Sequence, residues 1–204
     1  TINGFLSAST TYNFNRPDTK QNQLRVFDTE VEAARFDVAE LVIQRSAKER
    51  NQLGFRLDLT AGQSLPHVTA ASGLFRNAKT GEAEDFDLQQ AFLVYNLPLG
   101  RGLKIEAGKQ VTHAGLELIE GYDGYNDQFS RSILFGYAIP FTHTGVRATY
   151  AASEKVSLMA MVVQGWDNFK DNNSGKSIGA QIGLTPSPKF SLFLNYLGGA
   201  ERPN

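Results

Sequence analysis

The stretch Gln52–Ala61, QLGFRLDLTA, decides the fold class. Leu53, Phe55, Leu57, Leu59 and Ala61 share one parity, and Gln52, Gly54, Arg56, Asp58 and Thr60 share the other. Side chains of a β-strand alternate between its two faces, so this segment has one face fit only for an apolar medium and one that needs water or polar partners. By that parity Arg56 and Asp58 point to the polar side. About ten alternating residues is also the length that crosses a bilayer as a tilted strand.

The pattern recurs outward in both directions. Asn3–Phe14 sets Leu6, Ala8, Thr10, Tyr12 and Phe14 against Ser7, Ser9, Thr11 and Asn13. Phe86–Leu97 groups Ala91, Leu93, Tyr95 and Leu97 opposite Gln90 and Asn96, and Leu103–Thr112 groups Leu103, Ile105, Ala107 and Val111 opposite Lys104, Glu106, Gln110 and Thr112. In the latter Lys109 falls on the apolar side, where its long side chain is expected to reach for the membrane interface. Gly145–Ala151, Ser177–Thr185 and Phe190–Leu197 alternate as well. Two segments leave their facing open: Arg35–Arg45, where Asp37 and Glu40 interrupt the phase, and Val156–Gln164, which is apolar on both sides.

Nine such segments are joined by connections that alternate long and short. SAKERN, PLGRG, AASEK and PSPK are short; the long ones begin at Arg16, Gly62, His113 and Gly165. Short turns at one end and long loops at the other are the pattern of an antiparallel up-and-down transmembrane β-barrel, with the N-terminus periplasmic and the long loops outside. Aromatics at the segment ends fit the two interfacial girdles: Tyr12, Phe14, Trp166 and Tyr196 on one side, Tyr95 and Tyr150 on the other. A soluble β-sandwich or lipocalin-like barrel would also alternate, but its polar face should be rich in Lys and Glu. Here that face is Ser, Gly, Asn, Gln and Thr, which suits a wet lumen.

Composition narrows the function. A net charge of −1 and the lack of any basic run give no case for nucleic acid. With no cysteine, disulfides and thiolate metal sites are excluded. The longest apolar run, Leu158–Val163, is too short for a transmembrane helix.

The segments YNFNRPDTKQNQLRVFD, AELVI, GFRLDL, GLKIEAGKQVTHAGLELIE, SRSILFGYAIPFTHTGVRATY and QGWDNFKDNNSGKSIGAQIGLTPSPKFSLFLNYLGG together resemble the putative beta-barrel porin-2 (OmpL-like) family of Gram-negative bacteria, over essentially the whole chain. The resemblance implies an outer-membrane barrel with passive transport activity and supplies no substrate. Members of that family are longer, and bacterial single-chain barrels have even strand numbers. Residues 1–204 are therefore expected to be one β-barrel domain that is incomplete at its C-terminal side, with further strands downstream or from another copy.

Residues 112–143 form the longest connection, too polar for a core helix and too apolar for a solvated tail. It is expected to fold into the barrel mouth and constrict the lumen. Porin selectivity depends on bore and on opposed charge at the narrowest point. Glu117, Glu120 and Asp123 on this loop, facing Arg56, Arg131 and Arg147 with Asp58 beside them, would make such a constriction; the same charges could equally satisfy one another as structural ion pairs. His113 and His143 bracket the loop without zinc-type spacing. Ser130, Ser132 and His143 give no sign of a nucleophile–base pair, so no catalytic residue is assigned. Trp166–Asn168 and Asp171–Asn173 read as turn formers rather than a calcium loop.

The sequence thus points to a non-enzymatic porin-like channel in the bacterial outer membrane, passing small hydrophilic solutes. No metal or other cofactor is expected. Its surroundings would be membrane lipids and lipopolysaccharide, with a homo-oligomer or a partner protein as further contacts. The alternative is a non-conducting structural or assembly barrel that holds a partner protein, which Phe5, Phe92 and Phe193 on the polar parity would favour. A soluble binding barrel is the third reading.

Overall fold

The computed structural model describes residues 1–119 and 121–202. Among them one antiparallel sheet contains nine strands in chain order: β1 Ile2–Thr11, β2 Ala33–Arg45, β3 Gln52–Ala61, β4 Phe86–Leu97, β5 Leu103–Val111, β6 Thr142–Ala151, β7 Val156–Val163, β8 Ser177–Ser187 and β9 Phe190–Gly198. Every strand pairs with its sequence neighbour, and β1 and β9 are the two edges. The fold is all-β and up-and-down. Among the described residues no helix is long and apolar enough to cross a membrane, which says nothing about crossing by strands.

Burial on this sheet runs opposite to that of a soluble protein. Ile2, Leu6 and Leu93 are 74%, 73% and 59% exposed, while Asp58, Gln90 and Glu106 are 0%, 3% and 4% exposed. Burying one Leu or Ile is worth about 1.5–3 kcal/mol. A face presenting Leu6, Leu41, Leu53, Phe55, Leu93, Val146, Leu158, Val162, Ile178 and Ile182 outward therefore needs an apolar medium against it. The inner face can stay polar because its groups bond to one another.

Register supplies what alternation leaves open. The β1–β2 ladder shifts between Ser7 and Ala8, where Phe36 and Val38 are the successive partners and Asp37 is the extra residue. That bulge lets Asp37 and Glu40 both turn inward on a strand whose Phe36 and Leu41 face out. A second shift, between Asp58 and Leu59, makes Gln89 the extra residue of β4. In β7, Met159, Met161 and Val163 face inward and pack with Leu197. Room for Met161 comes from β8, where a Cβ at Gly179 would meet Met161 Cγ at 2.8 Å.

Lys109 does not reach for the interface. Its Nζ lies 3.0 and 3.1 Å from the Asp87 carboxylate oxygens and donates to the Leu88 carbonyl at 2.8 Å. Both side chains are 1% exposed. Gly108 just before it has φ of 140°, and Lys109 and Gln110 are buried in succession, so alternation breaks there. An unpaired ammonium in apolar surroundings is costly, and the break lets this one find a carboxylate instead.

The long connections carry two short helices that alternation cannot announce, α1 Leu65–Ser72 and α2 Ile133–Tyr137. Leu65 and Val68 of α1 are buried, and α1 packs on β4 and β6. Helices this short are marginal alone and are held by packing.

Replacing Leu93 with Arg should cost about 2–4 kcal/mol of stability in lipid vesicles, read as a lowered denaturant midpoint. An unchanged midpoint would mean that the Leu93 face does not meet lipid. At Gly54 a Cβ would collide with the Arg45 carbonyl oxygen and sit 2.9 Å from Ala47 N. Gly54→Val should therefore lower the refolded yield in detergent, overpacking of this kind costing about 1–3 kcal/mol.

Candidate functional site

The inner face is a polar wall interrupted by aromatic residues and by the apolar inner side of β7. Ser9 donates to Asp37 at 2.9 Å across β1 and β2. On β3, Arg56 Nε donates to both oxygens of Asp58 at 2.8 and 2.9 Å, and Gln90 Nε2 of β4 adds a 2.6 Å bond to Asp58. On β5 and β6, Glu106 takes Arg147 Nε at 2.9 Å and lies 3.1 Å from Lys104 Nζ. A cleft of about 240 Å³ opens between Gln44, Arg56, Phe92, Lys104 and Glu106. Phe5 and Phe92 are half-buried and Phe193 is exposed, all on inward parity, and among the described residues no ring contact joins any two of them.

The connection between β5 and β6 crosses this wall. At its root Thr112 N donates to the Phe141 carbonyl at 2.9 Å, and Gln181 Nε2 of β8 donates to the His113 carbonyl at 3.1 Å. Asp167, in the loop after β7, accepts the backbone N–H groups of Phe141 and Thr142. His143 has Thr112 Oγ1 3.1 Å from Nε2 and the Gly165 carbonyl 3.2 Å from Nδ1, a pattern satisfied by a neutral ring protonated on Nδ1. The body of the loop is fixed by an apolar core of Phe27, Val68, Phe135 and Phe141, with Val26, Ile119, Phe129 and Ile139 against it.

The tip lies against β2 and β3. Gly121 and Gly124 exchange backbone bonds at 3.1 Å, closing a tight turn over Tyr122 and Asp123. Tyr122 N donates to a Glu40 carboxylate oxygen. Asp123 pairs with Arg56, one carboxylate oxygen accepting from Nη1 at 2.8 Å and the other lying 2.7 Å from Nη2. The loop therefore touches the inner faces of β8 at its root and of β2 and β3 at its tip. A 40 Å³ cleft remains between loop and wall, lined in part by Glu40, Gln89, Val111 and Leu118.

Of the charged residues singled out from the sequence, Arg56, Asp58 and Asp123 meet in one ion-pair group. Arg147 instead pairs with Glu106. Glu117 stays within the loop, accepting Ser132 N at 2.8 Å and the Ser132 hydroxyl, while Ser132 Oγ accepts Phe135 N to cap α2. Arg131 is buried in the apolar core, its guanidinium 3.7 Å from the Phe27 ring centre and donating to the Phe129 carbonyl. Glu120 lies outside the described residues. Glu40 and Glu106 belong to the wall without being candidates from the sequence. Parity places Glu106 on the polar side, whereas the bulge of β2 hides the facing of Glu40. The rings of His113 and His143 are 6.1 Å apart, and among the described residues no three metal-ligating side chains converge. Burial lowers the His113 pKa.

Asp167 is the titratable anchor of the root. Burial pushes its carboxyl from 3.8 up to about 6, against the two N–H groups and Lys109, which hold it down, and with Glu201 raising it further. A raised native pKa means that the folded chain binds this proton more tightly than the unfolded one. Its ionisation thus removes about 2–3 kcal/mol as pH rises from about 4 to about 6, and the loss is complete above that. Asp167→Asn should flatten the pH dependence of unfolding across this window. An unaltered slope in denaturant titrations at pH 4, 5, 6 and 7 would assign the titration to another group.

Among curated proteins and solved structures nothing matches this chain. A family model does, over residues 1–204, and it describes β-barrel porins, in keeping with the up-and-down sheet, the outward apolar face and the polar inner wall. The chain belongs to the family described as Putative beta-barrel porin-2, OmpL-like.

Proposed function

We propose that this protein is a passive diffusion channel of the bacterial outer membrane for small hydrophilic solutes, with residues 112–143 narrowing its lumen. The observation that carries the reading is the attachment of the loop tip to the middle of the inner wall, through Tyr122 N to Glu40 and Asp123 to Arg56. A loop that only covered the mouth would not reach β3 at Arg56, which pairs with Phe92 and Gln44 well inside the sheet.

Two strengths of attachment support a constriction rather than a plug. The root rests on a buried apolar core and on wall-to-loop bonds. The tip rests on an ion pair whose Asp123 side is 46% exposed, worth up to about 1 kcal/mol, and on one backbone bond to a carboxylate, worth about 1.5–3 kcal/mol. A tip held by a few kcal/mol leaves its seat at the level of a per cent or less, so the bore is defined yet not sealed. Passive permeation through such a wall needs no catalytic group. In its membrane setting the outward face contacts lipid, with the long loops on the lipopolysaccharide side. Further strands of the same chain, or another copy of it, would close the barrel.

Single-channel recording in planar bilayers tests this reading. Stable openings should enlarge when residues 114–126 are deleted. Arg56→Ala should give larger and noisier openings without abolishing them. Openings of unchanged size after the deletion would discard the constriction and keep the channel. A folded barrel that conducts nothing would instead support the scaffold reading, in which the lumen holds a partner protein.

A further inference from the structure

The charges at the loop tip do not balance. Arg56 is the one cation among the described residues there, and it is shared between Asp58 and Asp123. Glu40, whose nearest charged neighbours are Asp58, Asp123 and Arg56, forms no ion pair with any described lysine or arginine and takes a backbone N–H instead. Among the described residues three carboxylates thus face one guanidinium, an excess of two negative charges where the loop meets the wall. A second charged group of the wall is Lys104, Glu106 and Arg147, with one positive charge in excess. Glu106 and Arg147 share a ladder row with Val94 and Gly54, two residues along β3 from Arg56 toward the short turns. Taken together, these two groups carry one negative charge in excess.

From this imbalance we propose that the channel prefers cations to anions, and that Glu40 and Asp123 set the preference while Arg56 opposes it. The inference rests on the reading of the loop as the narrowest part of the lumen. No bound ion is invoked: the selectivity comes from the field of fixed charges. Glu40 is 6% exposed and Asp58 0% exposed, so both sit in a wall that screens poorly. Within a Debye length of about 8 Å that field reaches ions passing the tip without direct contact. Low-dielectric walls lined by one sign of charge raise the local concentration of the opposite ion, and rings of acidic side chains favour cations in pores. Solutes bearing a positive charge, or neutral polar solutes, are then the permeant class, and small anions are retarded.

The test is the zero-current potential of the full-length protein in a planar bilayer under a potassium chloride gradient. The wild type should give the sign for potassium over chloride. The double variant E40Q/D123N keeps both side-chain shapes, and the amide oxygen it introduces on β2 can still accept from Tyr122 N. Its potassium-to-chloride permeability ratio should fall to about 1. R56Q removes the opposing charge, and the ratio should rise above that of the wild type. Should E40Q/D123N fail to fold, D123N alone, on an exposed loop tip, should still lower the ratio. Anion preference in the wild type, or a ratio that none of the substitutions moves, overturns the inference while leaving a conducting channel in place. Absence of any current from folded protein overturns the channel reading and the selectivity with it.

Discussion

The constraint on which this structure depends is that nothing on its outer side can accept a hydrogen bond. In a membrane every backbone donor and acceptor must be met within the sheet, and every polar side chain must turn to the other face. The ladder from β1 to β9 meets the first demand by neighbour-to-neighbour pairing, except along the outer edges of β1 and β9. The register shifts in β2 and β4 and the break at Gly108 serve the second. Each delivers a charged or amide residue inward that strict alternation would have left outside or out of reach: Asp37 on β2, Gln89 on β4, Lys109 on β5. The inner face is consequently a network of charged and polar groups that satisfy one another.

That network also explains why the long connection settles where it does. An arginine already aligned by a carboxylate two residues away has lost most of its rotamer freedom, so a second carboxylate can join at little entropic cost. Arg56, held by Asp58, offers its two outer nitrogens to Asp123 in that way. The Gly121–Gly124 turn brings the Tyr122 N–H to Glu40 in the same movement. Arg131, by contrast, lies in the loop core against Phe27 rather than in the wall.

Much of this is legible in the sequence, and the failures have identifiable causes. Period two gives strands β1, β3, β4, β6, β8 and β9 with the right facing, because each keeps one phase where it is read. Strand β2 resists because a bulged residue changes phase midway, so Ala39, Leu41 and Ile43 cannot be reconciled with Asp37 and Glu40. Strand β7 resists because its lumen side is itself apolar, with Met161 lying over Gly179 of β8. Parity alone puts Lys109 outward, and only the backbone of Gly108 shows why it is not. For the site, opposite charges at Arg56 and Asp123 can be named from sequence but not paired. Glu40 escapes notice because its strand has no assignable phase. Arg131 reads as a lumen charge although its neighbours Phe129 and Phe135 belong to an apolar core. The short helices are products of that core rather than of local propensity.

The apolar core above the wall draws on three separate connections. Val26 and Phe27 come from the first, Val68 from the second, and Ile119, Phe129, Phe135, Ile139 and Phe141 from the third. Arg35 binds the first two together through the Phe27 and Gln63 carbonyls, and Phe169 N reaches Ser72 from the fourth. Surface loops of a barrel are ordinarily free to drift one by one, since each touches only its own hairpin. Here a change of length in one would unseat residues of the others. Evolution at this face must therefore proceed by correlated change, and a graft of foreign loops onto this scaffold would have to exchange the connected set as one block.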